Sequence, residues 1–131
     1  MGKIVKILVL DDEEDSRELL GILISKYFEF PHQVIFSKSY SEAYLTLKND
    51  SFDVVFSDSK LPNNSENKIL DLITNIKTQI IISSALGIES FKNKNKRPMY
   101  FLQKPIDIDD FRIISQLVVK NLQAHENSLI I

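Results

Sequence analysis

The sequence predicts an α/β fold: a doubly wound, five-stranded parallel sheet covered by helices on both faces. Two observations carry this expectation. Short, nearly continuous apolar runs rich in Val and Ile alternate with longer segments whose apolar residues recur at helical spacing. With 131 residues and 44% apolar content, the chain can bury one substantial core but has little room for a second domain.

Residues 4–10 read as a buried strand, interrupted only by Lys6. A helix is expected over 16–28, where Leu20, Leu23, Ile24, Tyr27 and Phe28 share one face. Residues 34–37 form a second, short strand. Ser39, Tyr40, Ser41 and Glu42 then have the order of a capping box opening a helix to about Lys48. Residues 53–57 are β-rich, and Ile69, Ile73 and Ile76 mark a third helix. Residues 79–83 are a strand made almost wholly of isoleucine, and 99–103 supply the fifth strand. Asp107 can cap a last helix that buries Phe111, Ile114, Leu117, Val118 and Leu122. Residues 85–96 are predicted as a short or irregular helix, because Leu86, Ile88 and Phe91 are followed by a polar, basic stretch. Right-handed crossovers leave few ways to connect five such strands, and the flavodoxin-like order 2-1-3-4-5 in a three-layer αβα sandwich is expected.

Composition excludes several functions. The formal net charge of −2 gives no global attraction for nucleic acid or an anionic membrane, and neither is expected as a partner. The basic residues Lys92, Lys94, Lys96 and Arg97 lack stacking aromatics around them and read as a solvated face. Without cysteine there are no disulfides and no thiolate chemistry, which suits the cytoplasm. No segment has the length of a bilayer span or the form of a leader, and Lys6 stands where a myristoylation signal needs Ser or Thr. The three glycines, Gly2, Gly21 and Gly87, cannot build a phosphate-cradling loop. His32 and His125 are isolated.

The chemistry lies at the expected strand ends. The first strand ends in Asp11 and Asp12, the third in Asp58, the fourth in Ser83 and Ser84, and the fifth in Lys104 and Pro105. The order 2-1-3-4-5 gathers all of these on one edge of the sheet, where such folds bind ligands. Three carboxylates brought together repel one another, and a divalent cation relieves that repulsion. Oxygen donors without nearby His or Cys favour Mg²⁺. A carboxylate can act as a nucleophile toward phosphorus, Lys104 can meet the charge that develops, and Ser84 can offer a hydroxyl. Glu13, Glu14 and Asp15 suit the first turn of the following helix, where acidic residues complement the macrodipole.

These marks resemble those of response-regulator receiver domains of the chemotaxis-protein type over essentially the whole chain. They are Leu8-Val9-Leu10-Asp11-Asp12, Asp53-Val54-Val55-Phe56-Ser57-Asp58-Ser59-Lys60-Leu61-Pro62, Ile80-Ile81-Ile82-Ser83-Ser84-Ala85 and Phe101-Leu102-Gln103-Lys104-Pro105. The resemblance implies a receiver domain over 1–125 with a tail over 126–131. It implies that Asp58 accepts a phosphoryl group from a sensor histidine kinase or a histidine phosphotransfer protein. Mg²⁺ would be held by Asp11, Asp12, Asp58 and the backbone carbonyl of Lys60. Ser84 and Phe101 would be the switch hydroxyl and switch aromatic, and Lys104 the phosphoryl-contacting cation. The Lys104-Pro105 bond would be cis.

The expected protein is a stand-alone cytoplasmic receiver, a monomer or a weak phosphorylation-dependent dimer. It would signal by contact with a downstream protein partner, through the fourth helical segment, the fifth strand and the last helix. It would catalyse only its own phosphorylation and dephosphorylation. A degenerate receiver serving as a constitutive interaction module is the alternative. A phosphatase of the haloacid-dehalogenase kind is disfavoured, since no threonine follows Asp11-Asp12-Glu13-Glu14-Asp15. The chain departs from the family pattern in three places. No glycine follows Pro62, the span from Asp58 to Ser84 is short, and residues 93–97 replace a small-residue segment. Lys60, two residues past the acceptor, is expected to alter the lifetime of the phosphoaspartate.

Overall fold

The computed structural model describes residues 3–58, 65–85 and 98–128. Lys60, the helix expected over 85–96 and the end of the tail lie outside the described residues. The elements follow as β1 (Val5–Leu10), α1 (Glu14–Tyr27), β2 (His32–Ser37), α2 (Tyr40–Asn49), β3 (Val54–Asp58), α3 (Ser65–Leu72), β4 (Gln79–Ser84), β5 (Tyr100–Gln103) and α4 (Ile108–Ser128). All strand pairings are parallel and the order is β2-β1-β3-β4-β5, as the alternation of runs predicts.

Both sheet faces are covered, which is why the central strands are apolar at every position rather than at alternate ones. Ile7, Val9, Val54, Phe56, Ile81 and Leu102 point to one face, where Leu20, Leu23, Ile24 and Phe28 from the α1 region meet Phe111 and Val118 of α4. Phe111 anchors that layer: its ring stacks on Phe56 with centroids 5.9 Å apart and meets Phe28 and Tyr27 at 6.3 and 6.2 Å. Leu8, Leu10, Val55, Ile80 and Ile82 point to the other face, against Ala43, Phe52, Ile69, Leu70 and Ile73.

Local chemistry sets the helix ends. Ser39 Oγ accepts from the Glu42 amide at 3.2 Å, the N-cap bond expected of α2. The Glu42 carboxylate accepts from the Lys38 amide at 3.0 Å, so the reciprocal bond of the capping box lands one residue upstream of the cap. Asp107 Oδ1 accepts from the Asp109 and Asp110 amides at 2.8 and 3.1 Å and starts α4. Gly21 lies where a Cβ would sit 3.1 Å from the Phe36 ring, so the missing side chain lets β2's aromatic lie against α1.

Two expectations need correction. The third helix ends at Leu72, before Ile76. Asn75 diverts the chain into a turn, its Oδ1 accepting from the Lys77 amide and its carbonyl from the Thr78 amide, and Ile76 is left 87% exposed at the tip. In α4, Leu117 is 44% exposed. The buried stripe runs instead through Phe111, Ser115 and Val118, at helical spacing. Ser115 is tolerated inside because its hydroxyl donates to the Arg112 carbonyl at 2.8 Å.

Candidate phosphoacceptor site

Register brings the site together. Leu10 pairs with Ser57, so the next residues, Asp11 and Asp58, leave adjacent strand ends side by side. Asp58 in turn pairs with Ser83, and Ser84 with Gln103. The Lys104 amide donates to the Ser84 carbonyl at 2.9 Å, carrying the β4–β5 ladder one step past β5. The Lys104-Pro105 peptide is cis.

Asp11 and Asp58 are fully buried. Lys104 reaches both: its ammonium lies 2.9 Å from Asp11 Oδ2 and 3.2 Å from Asp58 Oδ2, and 3.5 Å from Glu13 Oε1. The Lys104 side chain is only 10% exposed. Burial pulls its pKa down, but the hydrogen bond to Asp11 and the charges of Asp58 and Asp11 outweigh that and hold the ammonium above the ordinary lysine value. Lys104 is therefore a fixed positive charge at neutral pH, aimed between two carboxylates.

Oxygen atoms of Asp11, Asp12, Glu13 and Asp58 all lie within 4.8 Å of one another. Asp12 and Glu13 are exposed, so the group reaches from the buried Asp58 to solvent. The Lys104 ammonium lies against three of these four carboxylates, Asp11, Asp58 and Glu13, so the cluster carries more carboxylates than this one ammonium balances. A hard divalent cation with oxygen preference fits that donor set, and an ion with no affinity for carboxylate would not.

Ser84 is buried at the end of β4. With Phe101, Gln103, Asp110 and Ile113 it lines a cleft of about 400 Å³ between the end of the sheet and α4. Phe101 is partly buried and packs against the core on the α2–α3 side of the sheet. Asp11, Asp12, Asp58 and Lys104 thus converge. Ser84 and Phe101 lie at the next strands, and Lys60 is outside the described residues.

Two residues join the site that the sequence did not assign to it. Glu13 is the N-cap of α1 but makes no side-chain capping bond, and its carboxylate turns to Lys104 instead. Its place after Asp11-Asp12 is the only signal in the sequence. Arg17 donates from Nη1 to the Asp11 carbonyl at 2.8 Å, a contact that no spacing rule announces. Among the described residues no helix is long and apolar enough to cross a membrane.

No protein-family model matches the chain, and no curated protein does. Solved structures do. A receiver domain of a response regulator from Methylobacillus flagellatus superposes with a TM-score of 0.69 at 21% identity, covering 88% of this chain and 99% of that one. A chemotaxis response regulator of Vibrio cholerae gives 0.71 at 18% identity, covering 88% and 99%. The receiver domain of a sensor histidine kinase from Pseudomonas aeruginosa, solved with a magnesium ion coordinated in its active-site cleft, gives 0.68 at 17%, covering 90% and 99%. At these identities the likeness establishes architecture, and the chain has the fold of response-regulator receiver domains.

Proposed function

We propose that this chain is a two-component receiver that accepts a phosphoryl group on Asp58 and signals by protein contact. The observation that carries the reading is the Lys104 ammonium held 3.2 Å from Asp58 Oδ2 and 2.9 Å from Asp11 Oδ2, beside a carboxylate group with oxygens within 4.8 Å. An aspartate buried at a strand end, next to a charged lysine and a candidate Mg²⁺ position, is equipped for acyl-phosphate formation.

In the reaction, an Asp58 carboxylate oxygen bonds to the phosphorus of a phosphohistidine on a sensor kinase or phosphotransfer protein. The phosphorus–nitrogen bond breaks, its electron pair leaves with the imidazole, and that nitrogen regains a proton from solvent. Lys104 is placed to meet the negative charge gathered on the phosphoryl oxygens. Asp11, Asp12, Asp58 and the Lys60 carbonyl would hold Mg²⁺, which would supply charge neutralisation for the incoming phosphoryl group. The magnesium in the Pseudomonas aeruginosa receiver supports this assignment. Ser84 would give the phosphoryl group a hydroxyl contact, and Phe101, beside it at the cleft, would respond to that contact. Water attack on the acyl phosphate returns the resting state, so the chemistry is self-directed rather than turnover of a substrate. The setting is the cytoplasm.

The test is intact-mass measurement after incubation with acetyl phosphate and Mg²⁺, beside Asp58→Asn. One added phosphoryl group, dependent on Mg²⁺ and absent from Asp58→Asn, is expected. No addition to the wild-type protein, with the fold intact by circular dichroism, refutes phosphoryl acceptance and leaves a constitutive interaction module.

A further inference from the structure

Asp11 is held on four sides. Its amide donates to the Ser37 carbonyl at 3.1 Å, and its Oδ1 accepts from the Glu13 amide at 2.9 Å. Lys104 takes Oδ2. The fourth contact is the bond from Arg17 Nη1 to the Asp11 carbonyl. That carbonyl belongs to the peptide joining Asp11 to Asp12, the buried carboxylate to the exposed one. The peptide is planar, so fixing its oxygen fixes the direction in which Asp12 leaves it.

A purely helical role does not account for Arg17. The Asp11 carbonyl lies two residues before the N-cap Glu13, outside the α1 ladder, so the bond satisfies no helix group. A cation this near a helix N-terminus also opposes the macrodipole. The main-chain amide of Arg17 donates to the Glu13 carbonyl at 3.1 Å, so the helix fixes the base from which the side chain reaches back. Its planar, charged fork makes a stronger and more directional bond to a carbonyl than a neutral donor does. Its charge also stands among the acidic residues 11–15 and lowers their mutual repulsion.

We propose that Arg17 is a positioning residue for the metal centre: by gripping the Asp11 carbonyl it sets the Asp11–Asp12 peptide so that the Asp12 carboxylate stands beside Asp11 and Asp58. The inference rests on the receiver reading above. Groups that orient metal ligands without touching the metal typically change affinity by about 10–100-fold when removed. Arg17→Ala is accordingly expected to weaken Mg²⁺ binding about tenfold. Arg17→Lys keeps the charge but loses the rigid fork, and falls between Arg17→Ala and wild type.

The experiment is a Mg²⁺ titration of ¹⁵N-labelled wild type, Arg17→Lys and Arg17→Ala, read on the amide resonances of Asp12, Glu13 and Asp58. In metal-free protein the Asp12 amide should already shift in Arg17→Ala, since its own peptide carries the lost bond. Equal Mg²⁺ affinities in all three proteins overturn the inference and leave the receiver reading standing. A wild type that shows no Mg²⁺-dependent shift overturns both. If Arg17→Ala fails to fold, Arg17→Gln replaces it, and wild-type affinity in that variant overturns the inference equally.

Discussion

Replacing Lys104 by methionine removes the ammonium while keeping most of the apolar stem, and the consequence can be sized from two distances. The ammonium is 2.9 Å from Asp11 Oδ2 and 3.2 Å from Asp58 Oδ2. At an effective dielectric of about 20, each pair carries roughly 5 kcal/mol of gross attraction. Desolvating a buried ammonium gives back several kcal/mol of that sum, and truncating one partner of a buried pair costs about 3–5 kcal/mol in practice. Methionine preserves the packing of the stem, so the lower end, about 3 kcal/mol, is expected for Lys104→Met without divalent cation. That is a large part of a domain stability of roughly 5–15 kcal/mol.

Mg²⁺ then becomes the diagnostic. At ten times its dissociation constant a ligand that binds only the folded state adds about 1.4 kcal/mol. The variant, whose Asp11 and Asp58 carboxylates have lost the ammonium paired with both, should gain more from saturating Mg²⁺ than wild type does. The same lysine predicts an alkaline signature. Its folded pKa is raised, so its contribution is complete below the unfolded value of about 10.4 and is lost as pH climbs through the folded one. Wild type should therefore lose stability above about pH 10 more steeply than Lys104→Met. The assay is urea unfolding followed by far-ultraviolet circular dichroism, in EDTA and in saturating Mg²⁺, since the chain has no tryptophan to report. A loss under about 1 kcal/mol in EDTA, or equal Mg²⁺ stabilisation of both proteins, would refute the electrostatic argument.

Two further perturbations probe the scaffold. Gly21→Ala gains helix propensity, and the Phe36 ring it meets at 3.1 Å is 46% exposed on an edge strand and free to give way. A net stabilisation of about 0.5 kcal/mol is expected, and a lowered melting temperature would mean the ring is locked in place. Asp107→Ala removes the acceptor of two α4 amides and should cost about 1 kcal/mol in urea unfolding, with Asp107→Ser restoring most of it. An Asp107→Ala protein as stable as wild type would show that water serves those amides equally well.

The sequence by itself determined the layer architecture, because period and composition are local, and the handedness of crossovers narrowed the strand order to a few choices. Ile80, Ile81 and Ile82 are apolar without alternation only because β4 is covered on both faces, and that pattern is visible in one dimension. The residues closing each apolar run, Asp11, Asp58, Ser84 and Lys104, were legible as a set for the same reason: a parallel sheet places every strand's C-terminal end on one edge. Ile76 was misread because periodicity continues past the point where a turn begins. Asn75 holds the turn after the helix end by side-chain bonding to the Lys77 amide, which a count of apolar residues does not register. Leu117 was misread because α4's buried stripe passes through a serine whose hydroxyl is satisfied within its own helix. What only the tertiary structure decided was which charged group answers which. Lys104 is 93 residues from Asp11, yet they meet at 2.9 Å, since the ladder β1-β3-β4-β5 stacks their strand ends. Glu13 and Arg17 lie within six residues of Asp11, but their roles depend on where their side chains turn once α1 is seated against the sheet. The layering of helices on both faces of the sheet follows from burial, which the sequence spells out residue by residue. The pairing of charges is fixed by where packed elements leave their ends, and that appears only when the chain is folded.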